Sequence, residues 1–242
     1  MNYKYGINIT TYNRPEYLEK MFFYFKKTNF LDNTIIKITD DFSDDKRTTD
    51  LVNDFELDNK NYKVKKYFNP FNFGAKLNYL RSVQRFWDED VDYVVNLDSD
   101  AIVNKNWLIE INKMNNIFGP NVLSSVFYCD NSFGDVTIGK NTHEPVNKDF
   151  FKKIENTNEY YKTKTLNGIC LSFPKFIIKD LFDETHARHF DGLVSHDLKI
   201  KYNLQSICTS KSYVEHIGEY GVNSNINFPT TVDKATNFVG VE

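Results

Sequence analysis

Asp98-Ser99-Asp100 sets two carboxylates one residue apart at the end of Asp92-Tyr93-Val94-Val95-Asn96-Leu97, and Ala101-Ile102-Val103 follows at once. A short, β-branched apolar run bounded in this way predicts a buried strand. Its carboxyl end would face a crevice, where two adjacent negative charges cost on the order of several kcal/mol unless a cation or a dense set of hydrogen bonds answers them. Hard oxygen donors of this kind suit Mg2+ or Mn2+, which keep waters and take up phosphate oxygens of a substrate. An ion there would bridge a diphosphate and absorb the charge that develops as it leaves.

The elements that must position this pair read in order along the chain. Gly6 to Thr11 is a first strand, followed by the polar loop Tyr12-Asn13-Arg14-Pro15 and a helix over Glu16 to Phe25 with Leu18, Met21, Phe22 and Phe25 at helical spacing. Pro15 suits the first helical turn. Thr34 to Thr39 is a second strand ending in Asp40-Asp41-Phe42-Ser43-Asp44-Asp45, before a short helix over Thr48 to Phe55. Tyr62 to Phe68 is a third strand, then the turn-rich loop Asn69 to Gly74 leads to a helix over Ala75 to Trp87. The acidic strand is the fourth, and Asn106 to Phe118 is the helix after it. Strands alternating with helices argue for a parallel or mostly parallel sheet covered on both faces. In open sheets of this class the ligand crevice lies at the carboxyl ends of the strands. Thr10 to Arg14, Asp40 to Asp45, Asn72 to Lys76 and Asp98 to Asp100 would therefore converge on one site.

Beyond Pro120 the pattern loosens. Asn121 to Tyr128 reads as a strand, and Asp130 to Asn147 as a mobile loop or hairpin. Thr165 to Phe173 reads as a strand, Lys175 to Leu181 as a helix opened by Pro174, His196 to Leu204 as a helix and Gln205 to Thr209 as a strand. Tyr213 to Gly218 leads into a Gly- and Asn-rich tail. No repeat, linker or low-complexity segment divides the 242 residues. They are read as one domain over 1–242, with a nucleotide-binding half over 1–120 and an acceptor-binding half over 121–242.

Composition narrows the class. The net charge of −3 supplies no global basic field for nucleic acid, although Lys60 to Lys66 or Lys148 to Lys164 would make a local patch. An aromatic share of 16% favours a core together with a ring-lined pocket. Cys129, Cys170 and Cys208 are odd in number and far apart, as expected of reduced thiols in a cytoplasmic protein. The opening residues carry no charged leader, and no window approaches the roughly 18 apolar residues that a membrane helix needs. The abundance of Asn and Lys is read as coding bias.

Four motifs in order, Thr10-Thr11-Tyr12-Asn13-Arg14, Asp40-Asp41-Phe42-Ser43, Asn72-Phe73-Gly74 and Asn96-Leu97-Asp98-Ser99-Asp100, give the chain its likeness to a family. It resembles the GT-A nucleotide-diphospho-sugar glycosyltransferases, most closely the inverting family 2 type, over nearly its whole length. The resemblance implies an α/β fold of GT-A type: a mostly parallel Rossmann-like sheet with helices on both faces and a smaller acceptor-side subregion. It implies that Thr10, Thr11, Tyr12, Asn13 and Arg14 wrap the nucleotide and that Asp41 accepts a hydrogen bond from the base, usually uracil. Asn72, Gly74, Lys76, Asp98 and Ser99 complete the implied donor contacts, with Ala75-Lys76-Leu77-Asn78 departing from the family's Ala-Arg-Asn. For the metal, Mn2+ or Mg2+, it implies Asp98, Asp100 and His216, Asp100 as the direct ligand and Asp98 turned toward sugar or ribose. For the general base it implies Asp197, in His196-Asp197, with Asp191, in Phe190-Asp191-Gly192, as the second candidate.

The activity implied is a metal-dependent, inverting hexosyl or pentosyl transfer from a nucleotide diphosphate, a UDP-sugar, to a hydroxyl acceptor. A saccharide or glycoconjugate acceptor is favoured, and a nucleic-acid acceptor stays open. Two other readings stand beside it. A sugar-phosphate nucleotidyltransferase shares the layout but attacks the α-phosphate, and Thr10 to Pro15 lacks the long Gly- and Lys-rich loop of such enzymes. A non-catalytic sugar-nucleotide-binding module is the other, against which all the acidic positions stand. His143, His186 and His189 show no metal spacing with each other and are read as surface or acceptor-site residues, and Trp107 is read as helix packing.

Overall fold

The computed structural model describes residues 3–57, 62–128, 151–153, 159–181, 190–218, 235 and 237–241. Its first half runs β1 (Tyr5–Thr11), α1 (Pro15–Phe25), β2 (Ile35–Asp40), α2 (Lys46–Asp54), β3 (Lys63–Phe68), α3 (Gly74–Gln84), β4 (Tyr93–Leu97), β5 (Ala101–Val103), α4 (Trp107–Phe118) and β6 (Val122–Ser125). The second half carries β7 (Phe151–Lys153), β8 (Tyr160–Thr163), β9 (Cys170–Pro174) and a 3-10 turn over Lys175–Asp180. Helix α5 (Phe190–Gly192) then continues through a π-helical segment (Leu193–Leu198) into α6 (Lys199–Lys201), ahead of β10 (Gln205–Thr209) and β11 (Val214–His216).

Nine strands form one sheet in the order β3-β2-β1-β4-β9-β6-β10-β8-β7. β1, β2, β3 and β4 are mutually parallel, β9 runs antiparallel to both β4 and β6, and β8 runs antiparallel to β10 and β7. All strands but β8 and β9 thus point one way, so the expectation of a mostly parallel sheet is met. The winding steps outward from β1 to β2 and β3, then returns to place β4 on the other side of β1. That reversal opens a crevice between the carboxyl ends of β1 and β4.

Period-two alternation explains the two cores. Tyr93, Val95 and Leu97 of β4 join Ile7 and Ile9 of β1, Leu18, Met21 and Phe22 of α1, and Trp107 and Ile111 of α4 in one apolar layer. Val94 joins Leu80 and Val83 of α3, Phe173 of β9 and Leu193 and Leu198 of the late helix in the other. β4 is buried at every position, which is why it reads as an unbroken apolar run. β3 forms one edge of the sheet, and its exposed Lys63 and Lys65 discourage further strand pairing there.

Several expectations for the second half change. The strand expected over Thr165 to Phe173 starts only at Cys170 and runs antiparallel, and β7 and β8 were not anticipated. The helix expected over Lys175 to Leu181 is a 3-10 turn, and that expected over His196 to Leu204 begins at Phe190. Its π segment has a local cause: Ser195 Oγ donates to the Asp191 carbonyl at 2.6 Å and competes with the regular backbone ladder. Ala101–Val103 leaves the main sheet to pair with β11. The loop expected over Asp130 to Asn147, together with Cys129, His143, His186 and His189, lies outside the described residues. Among the described residues no helix is long and apolar enough to cross a membrane.

Gly6 of β1 lies directly under Phe86, and a Cβ there would fall 2.4 Å from two atoms of that buried ring. Gly6→Ala should overpack this contact and lower stability by about 1–3 kcal/mol, read as a fall in denaturation midpoint with an unchanged m-value.

Candidate active site

The crevice at the β1–β4 reversal is a cleft of about 280 Å3. Thr10, Thr11, Tyr12 and Arg14 line it from the loop after β1, Asp41 from the end of β2, Asn72 and Gly74 from the start of α3, and Asp98, Ser99 and Asp100 from the end of β4. The four loops therefore meet as the strand order requires. Ala75, within the expected stretch, lines it as well, and so does Asn78, which was not foreseen. Asn13 and Lys76 are not among its lining residues. Asn13, with a φ of 48°, straps the first two loops together: its backbone N–H donates to Ser43 Oγ at 2.9 Å and its Oδ1 accepts from the Asp45 N–H at 3.1 Å.

The acidic pair has the densest support. Asp98 extends the β4 ladder by donating its N–H to the Ile169 carbonyl at 3.0 Å, and its Oδ1 accepts from Asn96 Nδ2 at 3.0 Å. Asp100 is 2% exposed; its Oδ2 pairs with the Arg14 guanidinium, and its Oδ1 lies 3.4 Å from His216 Nε2. The small β5–β11 sheet makes the second contact possible by setting His216 opposite Ala101, while the Ile217 N–H donates to the Asp100 carbonyl at 2.9 Å. Burial pushes the Asp98 carboxyl above the usual range, and the neighbouring Asp100 charge adds to it. Burial acts on Asp100 as well, but His216 and Arg14 outweigh it and hold that carboxyl low.

Could these groups hold a divalent ion? Among the described residues no three His, Cys, Asp or Glu side chains are already gathered around one point as ligands to such an ion. Asp100 and His216 do fit one. Asp100 Oδ1 is buried with no hydrogen bond among the described residues, and Gly218 forms a close wall in which a Cβ would lie 2.1 Å from Asp100 Oδ2 and 3.0 Å from His216 Nε2.

At the other end of the cleft Asp41 is 2% exposed. Its Oδ1 accepts from Asn69 Nδ2 at 2.8 Å and from the Phe73 N–H at 3.0 Å. Gly74 takes a positive φ of 77° just where Asn72 Oδ1 accepts its N–H at 2.7 Å, and α3 begins there without a side-chain cap. The first turn of an uncapped helix facing a cleft is a favourable place for an anion.

The two candidate bases part company. Asp191 packs on Gly168, whose imagined Cβ would sit 3.2 Å from the Asp191 Cβ and 3.9 Å from its Oδ2. The Gly168 carbonyl accepts at 2.9 Å from Asn96 Nδ2, the same nitrogen that serves Asp98. Asp98 and Asp191 also share a neighbour: burial first, and then both their charges, push the Tyr79 phenol well above its ordinary value. Asp197 instead faces His196, whose Nδ1 lies 2.6 Å from its Oδ1. Asn69, Asn78, Asn96, Gly168 and Gly218 all shape the site; Asn69-Pro70 carried a turn signal and Asn96 stood in the fourth motif, whereas Asn78 and Gly168 carried no signal of a site role.

Residues 7–182 match the family model of glycosyl transferase family 2. No curated protein matches the sequence. Among solved structures, S. aureus TarS 1-349 in complex with UDP-GlcNAc matches with a TM-score of 0.61 at 16% identity, over 92% of this chain and 62% of that one. S. aureus TarS 1-349 and its complex with UDP match with TM-scores of 0.58 and 0.57 at 18% and 16% identity, each over 87% of this chain and 59% of the other. At such identities the likeness is one of fold, the GT-A arrangement. The chain spans about three fifths of the length of these structures.

Gly218→Ala forces a methyl into the wall beside Asp100 and His216. The variant should lose about 1–3 kcal/mol of stability, checked by thermal denaturation, with no change at a solvent-facing control such as Lys211→Ala.

Proposed function

The chain belongs to glycosyl transferase family 2, and on that premise we propose that it moves a sugar from a UDP-sugar to a hydroxyl acceptor with inversion at the anomeric carbon. One observation carries the reading: an acidic pair stands at the strand-order reversal, its buried Asp100 answered by Arg14 and His216 and its Asp98 linked through Asn96 to the Gly168 carbonyl, on whose residue a further carboxylate, Asp191, packs. The TarS structures with UDP-GlcNAc and with UDP support the choice of donor.

In this reading Asp41 meets the base and Thr10, Thr11 and Tyr12 form the wall along the nucleoside. The diphosphate lies between Arg14 and the amino terminus of α3, which supply positive charge from a side chain and from backbone dipoles. Asp100 and His216 would hold a divalent ion, and a carboxylate with an imidazole suits Mn2+ better than Mg2+. When bound, that ion supplies Lewis-acid stabilisation of the leaving diphosphate. Asp98, kept in place by Asn96, accepts from hydroxyls of the donor sugar. Asp191, rather than Asp197, takes the proton from the acceptor hydroxyl as its oxygen bonds to the anomeric carbon. The bond from that carbon to the diphosphate oxygen breaks on the opposite face, and UDP departs with the bonding pair. The modest negative charge of the chain favours a saccharide or glycoconjugate acceptor over nucleic acid.

Phosphorus NMR of the products from a UDP-sugar and Mn2+, with water as the fallback acceptor, tests the reaction class. UDP is expected; UMP with sugar 1-phosphate would assign the cleft to phosphorus chemistry instead. In the same assay Asp191→Asn should lower turnover by about 10²–10⁴-fold and leave UDP affinity within a factor of about three, whereas Asp197→Asn should keep most turnover. The reverse pattern would move the base to Asp197.

A further inference from the structure

We propose that Asn69, locked in one orientation by Arg85, is the positioning residue that sets which nucleobase the cleft accepts. The inference rests on the reading that Asp41 meets the base.

Asn69 follows β3 and is 4% exposed. Its N–H donates to the Asp40 carbonyl at 2.9 Å, which pins its backbone to the end of β2. Its side-chain Nδ2 donates to Asp41 Oδ1 at 2.8 Å and to Asn78 Oδ1 at 2.9 Å. Its Oδ1 accepts from Arg85 at 3.3 Å, while the other terminal nitrogen of Arg85 donates to Thr39 Oγ1 at 3.0 Å and the guanidinium lies 4.4 Å from the centre of the Tyr67 ring. Arginine only donates, so it can face only the carbonyl of the amide. A flipped Asn69 would set its NH2 against Arg85 and its oxygen against the Asp41 carboxylate. Both contacts are repulsive.

The consequence reaches the cleft through Asp41. Asn69 and the Phe73 N–H together occupy Oδ1, which leaves Oδ2 with no hydrogen bond among the described residues on a side chain that lines the cleft. A carboxylate oxygen fixed in this way accepts. Uracil and thymine bring an N–H at N3, whereas cytosine brings a lone pair there and would leave a buried carboxylate oxygen unanswered. A mismatch of that sort weakens binding by about 10- to 100-fold.

Isothermal titration of UDP and CDP against the full chain in Mn2+ tests the assignment, using the parent, Asn69→Asp, Asn69→Ala and Arg85→Lys. The parent should prefer UDP by about 10-fold or more. Asn69→Asp is isosteric and replaces the donor to Asp41 Oδ1 by a second carboxylate; the like charge favours proton uptake by the pair, and a proton carried on Asp41 Oδ2 donates to the cytosine N3. CDP should therefore bind this variant more tightly than it binds the parent, a gain that simple loosening of the loop would not produce. Asn69→Ala should bring the UDP-to-CDP ratio to within a factor of about three, and Arg85→Lys should narrow it part of the way and supply the reading if the Asn69 variants do not fold. Variants that lose UDP and CDP affinity by one common factor would overturn the positioning role of Asn69. A parent that binds UDP and CDP equally would overturn the base-facing role of Asp41 instead.

Discussion

Two carboxylates at the end of a central strand, Asp100 almost cut off from water and Asp98 half-buried, are the constraint on which this fold depends. β4 has to be apolar to sit inside the sheet, yet it delivers Asp98 and Asp100 into the crevice where the winding reverses. An uncompensated buried charge costs about 3–5 kcal/mol, a large part of a domain's net stability. Two distant segments and the strand itself answer it: Arg14 from the loop after β1, His216 from a strand far down the chain, and Asn96 from β4. The β5–β11 pairing has no counterpart in the main sheet, and its effect is to carry His216 and Gly218 up to Asp100.

Asparagine holds the rest of the site in register. Asn8 Nδ2 donates to Asn96 Oδ1 at 3.2 Å, and Asn96 in turn divides its two protons between Asp98 and the Gly168 carbonyl. Asn13 straps the first loop to the second, while Asn69 and Asn78 brace Asp41. A primary amide offers two donors and an acceptor without net charge, so it can link carboxylates and carbonyls inside the protein without adding another ion to desolvate. The abundance of this residue, read from composition as coding bias, thus includes a set of positions with definite work at the site.

Most of the amino-terminal half was legible because each strand, loop and helix there obeys a local rule. Alternation, Pro15 at a helix start and acidic or turn residues after each strand place Thr10, Asp41, Asn72 and Asp98 on one crevice from the sequence alone. The second half resisted for physical reasons. β9 runs against its neighbours, which periodicity does not encode, and a side-chain bond from Ser195 bends the helix that carries Asp191 and Asp197. Which of these two carboxylates stands nearer Asp98 depends on the packing of Gly168 and on an amide on another strand. A tertiary contact of that kind leaves no spacing in the sequence to read.

In the proposed function the Asp100 end of the cleft holds a diphosphate through charge. Isothermal titration of UDP and UMP against the full chain, in Mn2+ and again in EDTA, measures this directly. UDP should bind at least about 10-fold more tightly than UMP in Mn2+, with the gap closing to within about three-fold in EDTA. Equal affinity of the two nucleotides in Mn2+ would contradict it.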